Sequence, residues 1–212
     1  MEFKYSCFIS YRHGQYEMAK YIINELHEAL CSEIELNVSD KPVFVDWERL
    51  RGGDFYNEQL ATALCQSACM IVVFTGVYFD RKHTYCTREF KAMEYLESKR
   101  LSLLGRSPDK QHGLIVPIVF RGKRKLPPDI SDRRQYYDFQ DFALFSPKLS
   151  RHPELAPKVK EIAEYIAERC EALEAVPEND EIECSEFKMP SEEEIVAWLD
   201  GLKQEKPRLP GY

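Results

Sequence analysis

Met70-Ile71-Val72-Val73-Phe74-Thr75 is the stretch that decides the fold. A strand with one wet face alternates apolar and polar residues. An unbroken apolar run belongs to a strand covered on both faces, as in a parallel sheet flanked by helices. The flanking segments supply those helices. Before the run, Phe55, Leu60, Ala63 and Leu64 have helical spacing, with Asp54 as N-cap. After it, a loop from Gly76 to His83 leads into a helix over roughly 84–98.

The same alternation continues toward both ends. Phe3 to Ser10 reads as a first strand, followed by a helix over about 16–31 whose Ala19, Ile22, Ile23, Leu26, Ala29 and Leu30 share a face. Pro42 to Asp46 reads as a second strand, and Gly52-Gly53 marks the loop after it. Leu114 to Phe120 is a fourth strand whose Pro117 removes a ladder donor. Tyr136 to Phe139 is a short fifth strand, and a helix over about 156–173 closes the body. The pattern predicts an α/β fold, a flavodoxin-like five-stranded parallel sheet with helices on both faces. Beyond Ala175 the periodicity stops in a polar linker. Ser191-Glu192-Glu193-Glu194 then forms a capping box, opening a helix with Ile195, Trp198, Leu199 and Leu202 on one face. Residues 1–175 therefore read as one domain. Residues 176–212 read as an acidic linker and short amphipathic helix, which either docks on the body or engages a partner.

The chain has 212 residues, 44% hydrophobic and 31% charged, enough to bury a sizeable core. No apolar run approaches the ~20 residues of a membrane helix. Met1-Glu2-Phe3 leads directly into a strand pattern, without the regions of a signal peptide. The expectation is a cytoplasmic protein with no membrane partner. Seven cysteines, odd in number and scattered, read as reduced and packed like small hydrophobes. With no Cys-x-x-Cys and with isolated histidines, no metal site is expected. The net charge of −7 gathers in the tail, where 12 acidic residues face 4 basic ones from Glu171 onward. The body is near neutral. Its basic clusters, Arg121 to Lys125 and Arg133-Arg134, read as solvated loops, so direct nucleic-acid binding is not expected.

Glycine-rich phosphate loops, nucleophile elbows and zinc-helix motifs are absent from the sequence. The strand ends carry other chemistry: Ser10-Tyr11-Arg12, Asp46-Trp47, and Thr75 with Tyr85-Cys86-Thr87-Arg88-Glu89 beyond it. In a doubly wound sheet these ends converge at the carboxyl edge, where ligands bind. An arginine suits a phosphate, aromatic faces suit flat rings, and one carboxylate suits sugar hydroxyls. The combination describes a nucleotide held by side chains.

These motifs resemble a known family. Phe8-Ile9-Ser10-Tyr11-Arg12 is similar to the first signature box of Toll/interleukin receptor (TIR) domains. Phe44 to Phe55, with its aspartate, leucine and glycines, resembles that family's second strand and following loop. Met70 to Thr75 is similar to the central strand, and Ile115-Val116-Pro117-Ile118 to the fourth, proline included. Tyr85-Cys86-Thr87-Arg88-Glu89-Phe90 resembles the aromatic-Cys-x-x-Glu element of enzymatic, NAD-consuming bacterial members. The likeness covers about residues 3–170. His13 stands where some relatives carry a second arginine, and Tyr85 where many carry tryptophan.

The resemblance implies NAD+ glycohydrolase or cyclase chemistry, which releases nicotinamide and ADP-ribose or a cyclic isomer, in bacterial antiphage immune signalling. It makes Glu89 the catalytic residue and Ser10, Tyr11, Arg12, Asp46, Trp47, Phe55, Tyr85 and Cys86 the substrate-binding set. NAD+ is then the substrate and no cofactor is called for. Self-association through TIR–TIR contacts, and an activator or downstream effector protein, are the implied partners. Two other readings stay open: a non-catalytic adaptor working through TIR–TIR contacts, and a bacterial effector that mimics host TIR signalling.

Overall fold

The computed structural model describes residues 3–13, 17–46, 54–104, 113–142, 148–176 and 183–204. Five parallel strands lie in the order β2-β1-β3-β4-β5: β1 Tyr5–Tyr11, β2 Val43–Val45, β3 Ser67–Phe74, β4 Ile115–Val119 and β5 Tyr137–Asp138. This is the flavodoxin-like order that the sequence predicts. The chain starts at β1, steps to β2 on one side, then crosses back to β3 on the other. Since crossovers are right-handed, reversing direction sends successive helices to opposite faces. Accordingly α1 (Glu17–Ile34) packs with α5 (Ala156–Glu174), while α2 (Asp54–Cys65) packs with α3 (Tyr85–Leu103).

β3 is buried along its whole length. It starts at Ser67, earlier than the apolar run indicates, because Ser67 and Cys69 pair with Tyr5 and Cys7 of β1. Its Ser67 hydroxyl donates back to the Ala63 carbonyl at 2.8 Å, which satisfies a polar group without breaking the strand. β1 runs one residue further than expected, so Tyr11 is a strand residue paired with Val73. The helices α1 and α3 each exceed their predicted spans at the C-terminal end, and a short helix α4 (Pro128–Ser131) was not foreseen.

Pro117 has a simple account. Phe120 N–H donates to Phe74 O and Phe139 N–H donates to Val119 O, so even positions of β4 face β3 and odd positions face β5. Pro117 therefore lacks its donor on the β5 side, and β5 pairs only with Ile118 and Val119. The ladder loses nothing there.

Two buried side chains tie the layers together. Arg100 of α3 is completely buried and donates to the carbonyls of Cys65 and Ser67 at 2.5 and 2.8 Å, closing the α2–β3 junction. Burial lowers its pKa to about 10, which leaves it charged at neutral pH. Glu97 accepts from Leu114 N–H (2.5 Å) and Ile115 N–H (3.2 Å) and forms a bidentate pair with Arg134 at 2.8 and 2.6 Å. It pins α3 to the start of β4.

The C-terminal extension docks on this body. α6 (Glu192–Gln204) begins with the predicted capping box: Ser191 N–H donates to Glu194 Oε2 at 2.8 Å, and Glu194 N–H to Ser191 Oγ at 3.3 Å. Ile195 and Leu199 are buried, and Trp198 meets Phe79 (centroids 5.7 Å) and the Lys91 ammonium (4.8 Å). The side chain of Leu202 lies outside the described residues. The expectation of reduced thiols fails for one pair: Cys65 at the end of α2 is bonded to Cys184 of the extension. These residues are 119 positions apart, and only the docking of the extension brings them together.

Candidate functional site

The switch in strand order falls between β1 and β3, so the site is the carboxyl edge where these two strands end in register, Tyr11 beside Val73. Ser10, the penultimate residue of β1, is buried. Its hydroxyl donates to Glu89 Oε2 at 2.5 Å and lies 2.6 Å from the Tyr78 hydroxyl. Glu89 sits in the second turn of α3 and is 7% exposed, so its carboxylate turns inward to the sheet edge, not outward into solvent.

Around this pair the strand ends lock to one another. Cys86 Sγ, one turn before Glu89, donates to the Tyr11 carbonyl at 3.3 Å, joining the first turn of α3 to the end of β1. Cys86 is itself buried. Tyr11 is buried, and its hydroxyl donates to the Asp46 carbonyl at 2.9 Å, joining β1 to the end of β2. His13 stacks on Tyr11 at 4.4 Å, with Nε2 3.7 Å from the Asp46 carboxylate. Arg12 follows β1 and is half-buried, with no hydrogen-bond or ion-pair partner among the described residues. Tyr85 opens α3 at the rim, 36% exposed, with the Arg88 guanidinium 5.7 Å from its ring centre.

Of the predicted set, then, Ser10, Tyr11, Asp46, Cys86 and Glu89 form one connected group. Arg12 and Tyr85 border it. Trp47 lies outside the described residues, as does the side chain of Phe55, whose backbone stands in the first turn of α2. A groove of about 720 Å³ between α3 and the extension, lined by Ala92, Tyr95, Phe187 and Met189, contains none of these residues.

Tyr78 was missed. The sequence places it in a loop, and only the folded chain shows that this loop turns inward. Tyr78 N–H donates to Thr75 O at 2.9 Å, and the ring is fully buried against Phe79, edge-on at 4.8 Å. Burial, reinforced by Cys86 and Glu89, pushes its phenol well above the usual range. The loop is held by a close backbone approach. Gly122, at φ 81°, stands against Gly76, and a Cβ on it would meet the Gly76 Cα at 2.6 Å. Two adjacent aromatics, Tyr78 and Phe79, were the available signal for an inward turn.

The comparison with known proteins decides the family. A family model described as TIR domain matches residues 7–149, more than half of the chain. The chain belongs to the TIR family. No curated protein and no solved structure matches it. The matched span runs from β1 through the segment after β5 and includes each described site residue of this TIR domain. No helix among the described residues is long and apolar enough to cross a membrane.

Proposed function

We propose that this TIR domain is an NAD+-consuming enzyme that cleaves the bond between nicotinamide and ribose, with Glu89 as the catalytic residue. The observation that carries this reading is a buried carboxylate held by a serine hydroxyl at the carboxyl edge of the sheet. Cleavage breaks the C1′–N bond, and both electrons leave with nicotinamide, which departs neutral from a cationic ring. The leaving group needs no proton, so one carboxylate suffices where ordinary glycoside hydrolysis uses two. Glu89 accepts from the ribose hydroxyls and faces the positive charge that develops at the anomeric carbon. Water then adds at that carbon and releases a proton to give ADP-ribose, or a nucleophile within the same molecule adds to give a cyclic isomer. Arg12 takes a pyrophosphate oxygen, and Tyr85 offers a ring face at the rim.

On this reading the protein acts in immune signalling and self-associates through TIR–TIR contacts. Nicotinamide release from NAD+, followed by mass spectrometry of the products, tests the reading and separates hydrolysis from cyclisation. Glu89→Ala should lower the rate by about 10²–10³ and leave the fold intact. Equal turnover by the variant would remove Glu89 from the chemistry, whereas no nicotinamide release by the parent would favour the adaptor reading. Specific activity rising with protein concentration would support assembly-dependent completion of the site.

A further inference from the structure

The hydroxyl of Ser10 touches two groups, Glu89 Oε2 at 2.5 Å and Tyr78 OH at 2.6 Å, and it has one proton to give. When Glu89 is ionised it can only accept, so Ser10 spends its proton there. The Ser10 oxygen then becomes the acceptor of the Tyr78 phenol. The order of donation is fixed: Tyr78 to Ser10 to Glu89. Each bond polarises the next in a site shielded from water.

Tyr78 is built to hold that order. Its ring is fully buried, tilted against Phe74 at 6.2 Å and edge-on to Phe79 at 4.8 Å. A buried phenol needs a partner for its hydroxyl, and here the partner is the serine that holds the carboxylate. Because burial keeps the phenol protonated, it donates throughout the working pH range. Its loop cannot drift outward easily, since Gly76 is packed against Gly122.

We propose that Tyr78 is a positioning residue: through Ser10 it fixes the direction of the hydrogen bond to Glu89 and so the orientation of the carboxylate toward a bound ribose. This rests on Glu89 being the catalytic group.

Tyr78→Phe removes one oxygen and keeps the ring, which makes it the right perturbation. It should lower kcat about 3- to 10-fold, the span expected for one net hydrogen bond, with KM for NAD+ nearly unchanged and the urea midpoint lowered by no more than about 0.7 M. Ser10→Ala should cost more, and the double variant should be no slower than Ser10→Ala alone, because Tyr78 acts only through Ser10. Multiplying effects would overturn the relay, as would an unchanged kcat in Tyr78→Phe. A second readout needs no turnover. The Tyr78 hydroxyl proton, buried and hydrogen-bonded, should give a resonance in NMR of the full chain that is absent from Tyr78→Phe and shifts in Glu89→Gln. A resonance indifferent to that change would refute the relay whatever the activity. A shift in a protein that never releases nicotinamide would instead uphold the relay and overturn the catalytic reading.

Discussion

Cutting the Cys65–Cys184 bridge offers a quantitative test of how the extension belongs to the fold. The bridge closes a loop of 119 residues. In the chain-entropy account, a loop of that length removes about 16 cal/mol/K from the unfolded ensemble, or about 4.8 kcal/mol at 25 °C. Cys184→Ala should therefore lose about 4–5 kcal/mol. For a urea slope of roughly 2–3 kcal/mol/M, the midpoint falls by about 2 M. What remains on the extension is the apolar face of α6, with Ile195 and Leu199 buried and Trp198 against Phe79, and a few polar contacts. Arg88 Nε donates to Pro190 O at 2.7 Å, Thr84 Oγ1 to Glu192 Oε1 at 3.3 Å, and Arg81 lies 3.2 Å from Asp200 at the surface. Fluorescence of Trp198, in a Trp47→Phe background, reports α6, and far-UV circular dichroism reports the body. In the variant the Trp198 transition should come first, and in the oxidised parent the two should coincide. Equal midpoints for the parent, its reduced form and Cys184→Ala would refute the reasoning, because they would mean that the bridge does not restrain the unfolded chain.

Two further expectations follow from burial and backbone geometry. The thiols of Cys7, Cys69 and Cys170 are raised by burial from an ordinary value of 9.0, Cys170 to about 12. Above pH 9.0 the unfolded chain releases these protons while the folded chain keeps them, so stability falls as pH rises. The loss is about 1.4 kcal/mol per pH unit for each thiol and about 4 for the three together. Urea midpoints at about pH 8 and about pH 10.5 measure it, and a flat profile would contradict the buried thiols. Gly122→Ala places a Cβ 2.6 Å from the Gly76 Cα at φ 81° and should cost about 1–3 kcal/mol. Gly76→Ala, whose nearest neighbour is the flexible Lys125 side chain at 3.4 Å, should cost much less in the same denaturation assay.

The parts of the structure that were legible in the sequence were those written in local periodicity. The apolar run at Met70–Thr75 announced a covered strand, and Ser191 with Glu194 announced a helix start that the structure builds bond for bond. Ser10, Tyr11, Asp46, Cys86 and Glu89 were legible as strand-end chemistry because topology alone sends those ends to one edge. The missing parts depend on contacts that no local pattern encodes. Arg100 reads as one more charged residue on a helix, yet it is buried against carbonyls more than 30 positions away. Tyr78 reads as a loop tyrosine until Ser10, 68 positions earlier, comes within reach. The bridged cysteines look like any others until the tail is seen to dock.

The clamp at Glu97 has a consequence for everything upstream on its helix. α3 crosses the sheet from the carboxyl edge, where Glu89 sits, to the opposite rim, where Glu97 receives the amides that begin β4. At 1.5 Å per residue the two carboxylates stand about 12 Å apart along the axis. Sliding or screwing the helix to relocate Glu89 would tear Glu97 from those amides and from Arg134. The helix is thus a ruler with its zero nailed to the far rim. Any rearrangement at the strand ends falls to whatever surrounds this glutamate.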